Sequence, residues 1–220
     1  MLAKCSRSEK ILGRADGREF STLFYDAIGE RSRQKLMHAI DRITPFLDAL
    51  GITSIDENLP LEFTEAPAGQ PMIKGIPDEF VLLFPESRRV EKVWPYFREL
   101  SFWIQREFSI QAIIAGNLAD QNYSHCNDLR GLIPLRTLPD LIARATLVIS
   151  NDSAPLHLAS ASKSKLIALF GPTEPERYGP YPINRGNTSV LFSKTRKMKD
   201  IKDRKSTRLN SSHLVISYAV

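Results

Sequence analysis

The side chains whose types and spacing suit chemistry gather between Ser150 and Pro180, in SNDSAPLHLASASKSKLIALFGPTEPERYGP. An apolar run, Leu147-Val148-Ile149, leads into the polar turn Asn151-Asp152-Ser153. A small-residue helix is predicted from about Pro155 to Ser162. A second apolar run, Leu166 to Phe170, ends at Gly171-Pro172-Thr173. Strand, turn, helix, strand and loop in this order imply a parallel α/β sheet. Ligands of such sheets bind beyond the carboxyl ends of the strands. Asp152 and Thr173 are each predicted at such an end, one strand apart. Asp152 or Ser153 can cap the helix, leaving backbone N–H groups and the positive end of its dipole facing the mouth of the sheet. That environment suits a phosphorylated ligand, and His157 would add a donor to it. An isolated D-S-x-x-x-H is better read as a capped helix carrying a half-buried histidine. The second element, FGPTEPERYGP at the end of the next strand, shifts the weight towards binding.

Together these residues resemble glycosyltransferase family 9, the ADP-heptose:lipopolysaccharide heptosyltransferases. Asn151-Asp152-Ser153-Ala154-Pro155-Leu156-His157-Leu158-Ala159 is similar to that family's N-D-S-G-x-x-H-x-A segment. Phe170-Gly171-Pro172-Thr173-x-Pro175 with Gly179-Pro180 is similar to its F-G-P-T-x-P-x-x-x-G-P loop. Ala154 departs from the pattern, standing where the family often has glycine, so the backbone there approaches a donor less closely. Ser87-Arg88 followed by Lys92-x-Trp94-Pro95 resembles an S-x-x-x-x-K-x-W-P region. Lys92 would sit at a strand exit, where an ammonium can meet a diphosphate; a lone loop lysine is otherwise simply solvated. Gly116-Asn117-Leu118-Ala119-Asp120 resembles, less closely, a segment where the family carries an acid, and Asp120 would accept from sugar or ribose hydroxyls. Asp128-Leu129-Arg130-Gly131 with Leu135 resembles a D-L-x-G-x-x-x-L segment. The resemblance runs from about Lys10 to Pro182.

Other elements must position these groups. Lys10 to Arg14 and Phe20 to Tyr25 are predicted strands. Gln34 to Leu50 reads as a helix through Leu36, Ile40, Ile43, Leu47 and Leu50, split near Thr44 by Pro45 and stopped by Gly51. His38 and Arg42 lie one turn apart on it, facing either a cleft or solvent. Prolines 60, 67, 71 and 77 mark an extended connection. Phe80 to Phe84 and Ile110 to Ala115 are predicted strands. Trp94 to Phe108 is a predicted helix with Pro95 in its first turn, its aromatic stripe of Trp94, Phe97, Ile104 and Phe108 belonging to the core. Leu135 to Ala145 is a further helix.

Composition narrows the classes. The chain has 220 residues, is 42% hydrophobic and carries a net charge of +5. Dense Lys/Arg runs with interleaved aromatics are lacking, which disfavours nucleic acid. Two cysteines, Cys5 and Cys126, imply no disulfide framework and fit a reducing compartment. No run is long and apolar enough to span a membrane, and no signal peptide opens the sequence. No D-x-D and no His/Cys/Asp cluster has metal-ligand spacing. Asp203 to Val220 reads as the translation of a sequencing-library adapter, with Leu214-Val215 in the place of its index. It is expected to pack nowhere. Without Arg204, Lys205, Arg208 and Asp203, three bases and one acid, the net charge falls from +5 to +3.

The resemblance implies a GT-B α/β architecture: a Rossmann-like C-terminal donor domain with a parallel sheet, plus a remnant of the N-terminal Rossmann-like domain. The expected division is 1–58 for the acceptor-side remnant, 59–77 for the linker, 78–202 for the nucleotide-sugar-binding domain and 203–220 for the tail. The implied activity is transfer of heptose from an ADP-sugar to the lipopolysaccharide inner core with inversion. Alternatives are a GT-B transferase using another nucleotide sugar, or a non-catalytic donor-binding fragment. The implied partners are a nucleotide-diphosphate sugar, ADP-heptose favoured, and a lipopolysaccharide core acceptor, with no metal and no cofactor. Lys92 would stabilise the leaving group. Ser87, Arg88, Lys92, Asp120, Asp152, Ser153, Ala154, His157 and Thr173 would bind the donor. In the family the general base lies near the start of the N-terminal domain, so this chain alone is expected not to turn over. The expected location is cytoplasmic, with peripheral contact at the inner face of the bacterial inner membrane.

Overall fold

The structure is a computed structural model that describes residues 9–14, 21–29, 37–54, 75–117, 122–123, 125–182 and 186–201. These residues form two compact units, one within 1–59 with 176–178 and one within 60–175 and 179–220. Most of the connection at 59–77, Asp120 and the tail 203–220 lie outside the described residues.

In the first unit, strand β1 (Leu12–Arg14) pairs in parallel with β2 (Ala27–Gly29), placing Leu12 opposite Ala27. The strand expected over Phe20 to Tyr25 is instead a 3-10 turn, Ser21–Phe24. The Tyr25 N–H donates to the Thr22 carbonyl (3.4 Å), a local turn bond in place of a ladder bond. Pairing resumes at Asp26, whose N–H donates to the Ile11 carbonyl (2.7 Å) and whose Oδ2 accepts from the Ile11 N–H (2.8 Å). The long helix expected up to Leu50 is also corrected. Residues 39–44 are turns, and only α1 (Pro45–Ala49) is α-helical. Pro45 has no N–H to give to a preceding turn, so the helix begins at it, with Thr44 as N-cap. The stop at Gly51 is as expected: its φ is +74°, a left-handed geometry open to glycine. Ile40 and Ile43 are exposed, whereas His38 is buried with Nδ1 accepting from the Ile40 N–H (3.1 Å). His38 is therefore neither helical nor solvated.

The second unit is built on six parallel strands: β3 (Phe80–Phe84), β4 (Gln111–Ile114), β5 (Asn127–Asp128), β6 (Leu147–Asn151), β7 (Leu166–Phe170) and β8 (Thr188–Phe192). Their order is β5-β4-β3-β6-β7-β8. The chain winds outward from β3 to β5, then returns to the other side of β3 and winds outward again. The order thus reverses between β3 and β6, which is the topological switch point of the sheet. Strands β3, β6 and β7 are buried along their whole length, as expected of central parallel strands covered on both faces.

Alternation along each strand sorts the core into two layers. Val81, Leu83, Ile114, Ile149 and Leu169 point to one face, where α2 (Phe97–Phe108) covers them with Trp94, Phe97, Leu100 and Ile104. Met198 and Ile201 join that layer. Leu82, Phe84, Ile113, Val148 and Phe170 point to the other face, under α3 (Leu138–Arg144) and α4 (Ala154–Ala161). The aromatic stripe of α2 is core, as read from the sequence. Its helix starts three residues later than expected, because the Trp94 N–H is held by Asn151 Oδ1 (3.1 Å) and Tyr96 becomes the N-cap. The expected helix from Leu135 opens as a 3-10 turn, Leu135–Thr137, and becomes α-helical only at Leu138, with Pro139 in its first turn.

Candidate functional site

The carboxyl ends of β3, β4 and β6 surround a cleft of about 740 Å³. It therefore lies at the switch point, where the diverging crossovers leave the sheet edge open. From the β3 exit come Glu86, Ser87, Arg88, Arg89 and Lys92. From β4 come Gly116 and Asn117, and from the β6 turn and α4 come Asp152, Ser153, Ala154 and His157.

Lys92 and Asp152 form the centre of this site. Lys92 Nζ donates to Asp152 Oδ2 at 2.5 Å, and both side chains are largely shielded from water. Thr173 Oγ1 donates to the same oxygen at 2.6 Å. One carboxylate thus joins the exits of β3, β6 and β7. An ammonium carries three N–H donors and Asp152 takes one, so Lys92 keeps donors for an anion in the cleft. The expectation that Asp152 or Ser153 caps α4 through its side chain is corrected. Ser153 is the N-cap by backbone geometry but makes no side-chain cap bond. Its Oγ donates back to the Asn151 carbonyl (3.3 Å), while Asp152 is occupied by Lys92 and Thr173. The Ser153 hydroxyl is instead turned back to the strand end, where Ser150 Oγ also lies 3.4 Å away.

Asn151, which the sequence offered only as a motif letter, fixes the arrangement from beneath. Its buried amide donates from Nδ2 to the Pro85 carbonyl (2.8 Å) and accepts on Oδ1 from the Trp94 N–H. These two bonds bracket Glu86 to Val93, the loop that carries Lys92. Gly171, at the end of β7, is equally constrained: a Cβ there would lie 2.6 Å from Met198 Sδ. Ser160 on α4 donates to the Tyr181 carbonyl (2.9 Å) and accepts from the Tyr181 N–H (3.0 Å), tying down the segment after Gly179-Pro180.

A second charged group borders the cleft. Arg130 is buried, held by Asp128 through Nε (2.9 Å) and Nη2 (2.7 Å), with its guanidinium 4.8 Å from the Tyr123 ring centre. Arg130 Nη1 lies 3.7 Å from Glu86 Oε1, while the Asn117 N–H donates to Glu86 Oε2 (2.7 Å). Burial pushes the Glu86 carboxyl above the usual carboxylate range, and the bonds from Arg130 hold Asp128 below it. Sequence reasoning missed Glu86 altogether and saw Arg130 only as a variable position in D-L-x-G.

The structure thus brings Ser87, Arg88, Lys92, Asp152, Ser153, Ala154 and His157 to one cleft, and Thr173 to its edge through Asp152. Asp120 lies outside the described residues. Among the described residues no group of three His, Cys, Asp or Glu side chains has the geometry of a metal site, and no helix is long and apolar enough to cross a membrane.

Comparison with known proteins converges on the same fold. The chain is 26% identical over 166 residues to lipopolysaccharide heptosyltransferase 3 of Escherichia coli K12, covering 67% of this chain and 48% of that protein. It is 41% identical over 63 residues to lipooligosaccharide heptosyltransferase 2 of Haemophilus influenzae Rd, covering 29% of this chain and 18% of that protein. The chain therefore spans about half, or less, of the length of these relatives. Among solved structures, a glycosyltransferase family 9 protein from Veillonella parvula superposes with a TM-score of 0.73 at 22% identity, over 99% of this chain and 68% of that one. The E. coli heptosyltransferase WaaC with ADP superposes with a TM-score of 0.63 at 19% identity, over 93% and 63%. At these identities the superpositions speak for the shared fold. The profile of glycosyltransferase family 9 (heptosyltransferase) matches residues 12–209, reaching into the segment read above as adapter-derived. With that match covering most of its length, the chain belongs to glycosyltransferase family 9.

Proposed function

We propose that this chain is the donor-binding part of an inverting glycosyltransferase that moves heptose from an ADP-sugar to the lipopolysaccharide inner core. The observation that carries the reading is the convergence of Lys92, Ser153 and His157 on one cleft at the sheet's switch point. In this reading the donor's diphosphate lies between Lys92 and the amino end of α4, where the ammonium and the helix dipole both favour negative charge. Arg88 and Ser87 add donors at the rim, Thr173 fixes Asp152, and Ala154 sets how closely the backbone approaches. Asp120 remains assigned to donor hydroxyls.

The chemical demand is on the leaving group. As the acceptor hydroxyl attacks the anomeric carbon, the C–O bond to the diphosphate breaks and the departing ADP gains negative charge. A preorganised cation that is largely shielded from water stabilises that charge more in the transition state than in the ground state. Lys92 has this role. The base that takes the acceptor's proton is assigned to no residue of this cleft. Residues 78–202 are the nucleotide-sugar domain, 1–58 belong to the acceptor side, 59–77 connect them, and 203–220 are the adapter-derived tail. The whole protein works in the cytoplasm against the inner membrane face, where its glycolipid acceptor is presented.

The test is calorimetric titration with ADP, UDP and GDP, followed by competition with ADP-heptose. Binding of ADP in preference to UDP and GDP, displaced by ADP-heptose, is the expected result. Equal binding of all three would favour a transferase for another nucleotide sugar, and binding of none would remove the reading.

A further inference from the structure

Two acids line the cleft, Asp152 and Glu86. Asp152 is compensated from within it, by Lys92. Glu86 is compensated from behind. Arg130 is buried and does not itself line the cleft, and its Nη1 stands 3.7 Å from Glu86 Oε1. Without that cation, a carboxylate in this wall would repel a diphosphate and compete for its bases. The acid nevertheless has a structural task. Its Oε2 accepts from the Asn117 N–H at 2.7 Å, which ties the β3 exit to the β4 exit. Gly116 has a φ of +140°, and a Cβ there would come within 3.0 Å of the same oxygen, so glycine lets the two exits close.

Pro85, next to Glu86 in the chain, gives its carbonyl to Asn151 on β6. The loop that carries Arg88 and Lys92 is therefore held at its root from both sides, by Asn151 and by the Glu86 clasp. Only the clasp brings a negative charge into the wall. Arg130 is fixed where it can cancel that charge. Asp128 accepts from its Nε (2.9 Å), its Nη2 (2.7 Å) and its backbone N–H (3.2 Å), and the Tyr123 ring centre lies 4.8 Å from the guanidinium. The next residue, Gly131, donates its N–H to the Gly116 carbonyl (2.9 Å), so the backbone beside Arg130 is joined to the loop that Glu86 grips. Asp128 is partly exposed and does not line the cleft.

We infer that Arg130 is a positioning residue for anion binding that acts through Glu86. It cancels the charge of the clasp from outside the cleft and so leaves Arg88 and Lys92 to the diphosphate. The inference rests on the reading of this cleft as a diphosphate site. It makes the two side chains one unit: the acid is tolerable in the wall only with the base behind it, and the base matters to the ligand only while the acid is there.

The test is calorimetric binding of pyrophosphate and ADP to the 220-residue chain and to Arg130→Met, Arg130→Lys, Glu86→Gln and the double variant Arg130→Met/Glu86→Gln. Arg130→Met should bind both ligands at least tenfold more weakly, about 1.4 kcal/mol. Arg130→Lys keeps the charge without the fork and should lose less. Glu86→Gln keeps an oxygen for the Asn117 N–H and should not weaken binding. The double variant should match Glu86→Gln within about twofold, because with the acid neutral there is nothing left for Arg130 to cancel. A merely structural Arg130 would give no such rescue. Unchanged affinity in Arg130→Met, or a double variant as weak as Arg130→Met, overturns the role of Arg130 and leaves the functional reading in place. If Arg130→Met does not fold, the comparison of Glu86→Gln with the double variant decides: equal affinities support the inference, and a tenfold gap overturns it. If the unsubstituted chain binds neither ligand, both the inference and the reading fall.

Discussion

The ammonium of Lys92 and the carboxylate of Asp152, sixty residues apart in sequence, lie 2.5 Å from one another at the mouth of the sheet. The cation is thus compensated within the protein, and a diphosphate bound in the cleft would share Lys92 with Asp152 and would not meet a bare charge. Lys92→Ala should weaken ADP binding by about 1.5–3 kcal/mol, the range for a hydrogen bond to a charged group. Calorimetry reads this directly, and an unchanged affinity would leave Lys92 a structural partner of Asp152 alone.

The same pair predicts an asymmetry in stability. Asp152→Ala removes the partner of a shielded ammonium and one acceptor of Thr173, and should cost about 3–5 kcal/mol in urea denaturation. Lys92→Met, which removes charge from the other end while Thr173 still donates to Asp152, should cost less. Equal losses would show that Thr173 contributes nothing to holding the carboxylate.

Asn151 should be less replaceable than its chemistry suggests. Asn151→Ala leaves both the Trp94 N–H and the Pro85 carbonyl without their partner, at about 1–3 kcal/mol for each buried group. Asn151→Asp keeps an acceptor for Trp94 but faces the Pro85 carbonyl with a charge. Both variants should lower the urea midpoint, and both should weaken ADP binding, because the loop bearing Lys92 hangs between those two bonds.

Asp128 supplies a pH dependence with a defined sign. Its folded-state pKa lies below the ordinary 3.8 because Arg130 bonds to its charged form. The unfolded chain then binds more protons, so the contribution is present above pH 3.8 and is lost as pH falls through the lower folded value. The stability difference between the unsubstituted chain and Asp128→Asn should therefore be largest near neutrality and shrink below pH 3.8. A gap that widens in acid would reverse the assignment. Glu86 acts oppositely, since burial raises its carboxyl: its contribution is complete below 4.5 and fades as pH rises through its folded value.

Cys126 should be a slow thiol. Burial pushes its pKa up to about 11, and Sγ donates to the Tyr123 carbonyl (3.2 Å). At pH 8 the thiolate is then rarer than in a free cysteine by roughly two orders of magnitude, and thiolate is the reactive form. In a Cys5→Ser background, reaction with an aromatic disulfide should be correspondingly slow until urea is added.

The parts of this fold that were readable are those where burial writes itself into composition. Phe80 to Phe84, Leu147 to Ile149 and Leu166 to Phe170 are covered on both faces, so each appears as an unbroken apolar run. Strand β5 is two polar residues, Asn127 and Asp128, and leaves no such trace. Strand β8 borders the sheet with Val190 and Phe192 exposed and Leu191 buried, and it too escaped notice. The helical spacing of Ile40, Ile43 and Leu47 says which residues would share a face, but not that turns would replace the helix before Pro45. At the site, motif letters located Lys92, Asp152 and His157. The bonds that aim them were invisible, because neither Asn151 reaching Pro85 nor Arg130 facing Glu86 follows from any local pattern.

The close approach of Met198 to Gly171 has a consequence for how the protein is made. The β7 exit, which carries Thr173, is covered by a segment synthesised more than twenty residues later, and Ile201 completes the same core layer. Chains grow at roughly 5–20 residues per second. On that scale roughly 5–20 s separate the emergence of Lys92 from that of Ile201. Throughout that interval the strands behind the cleft exist with one face unfinished. A pause or cut before residue 198 would thus release a chain holding all the charged groups of the cleft, but with the β7 end of its wall open to water and to other nascent chains.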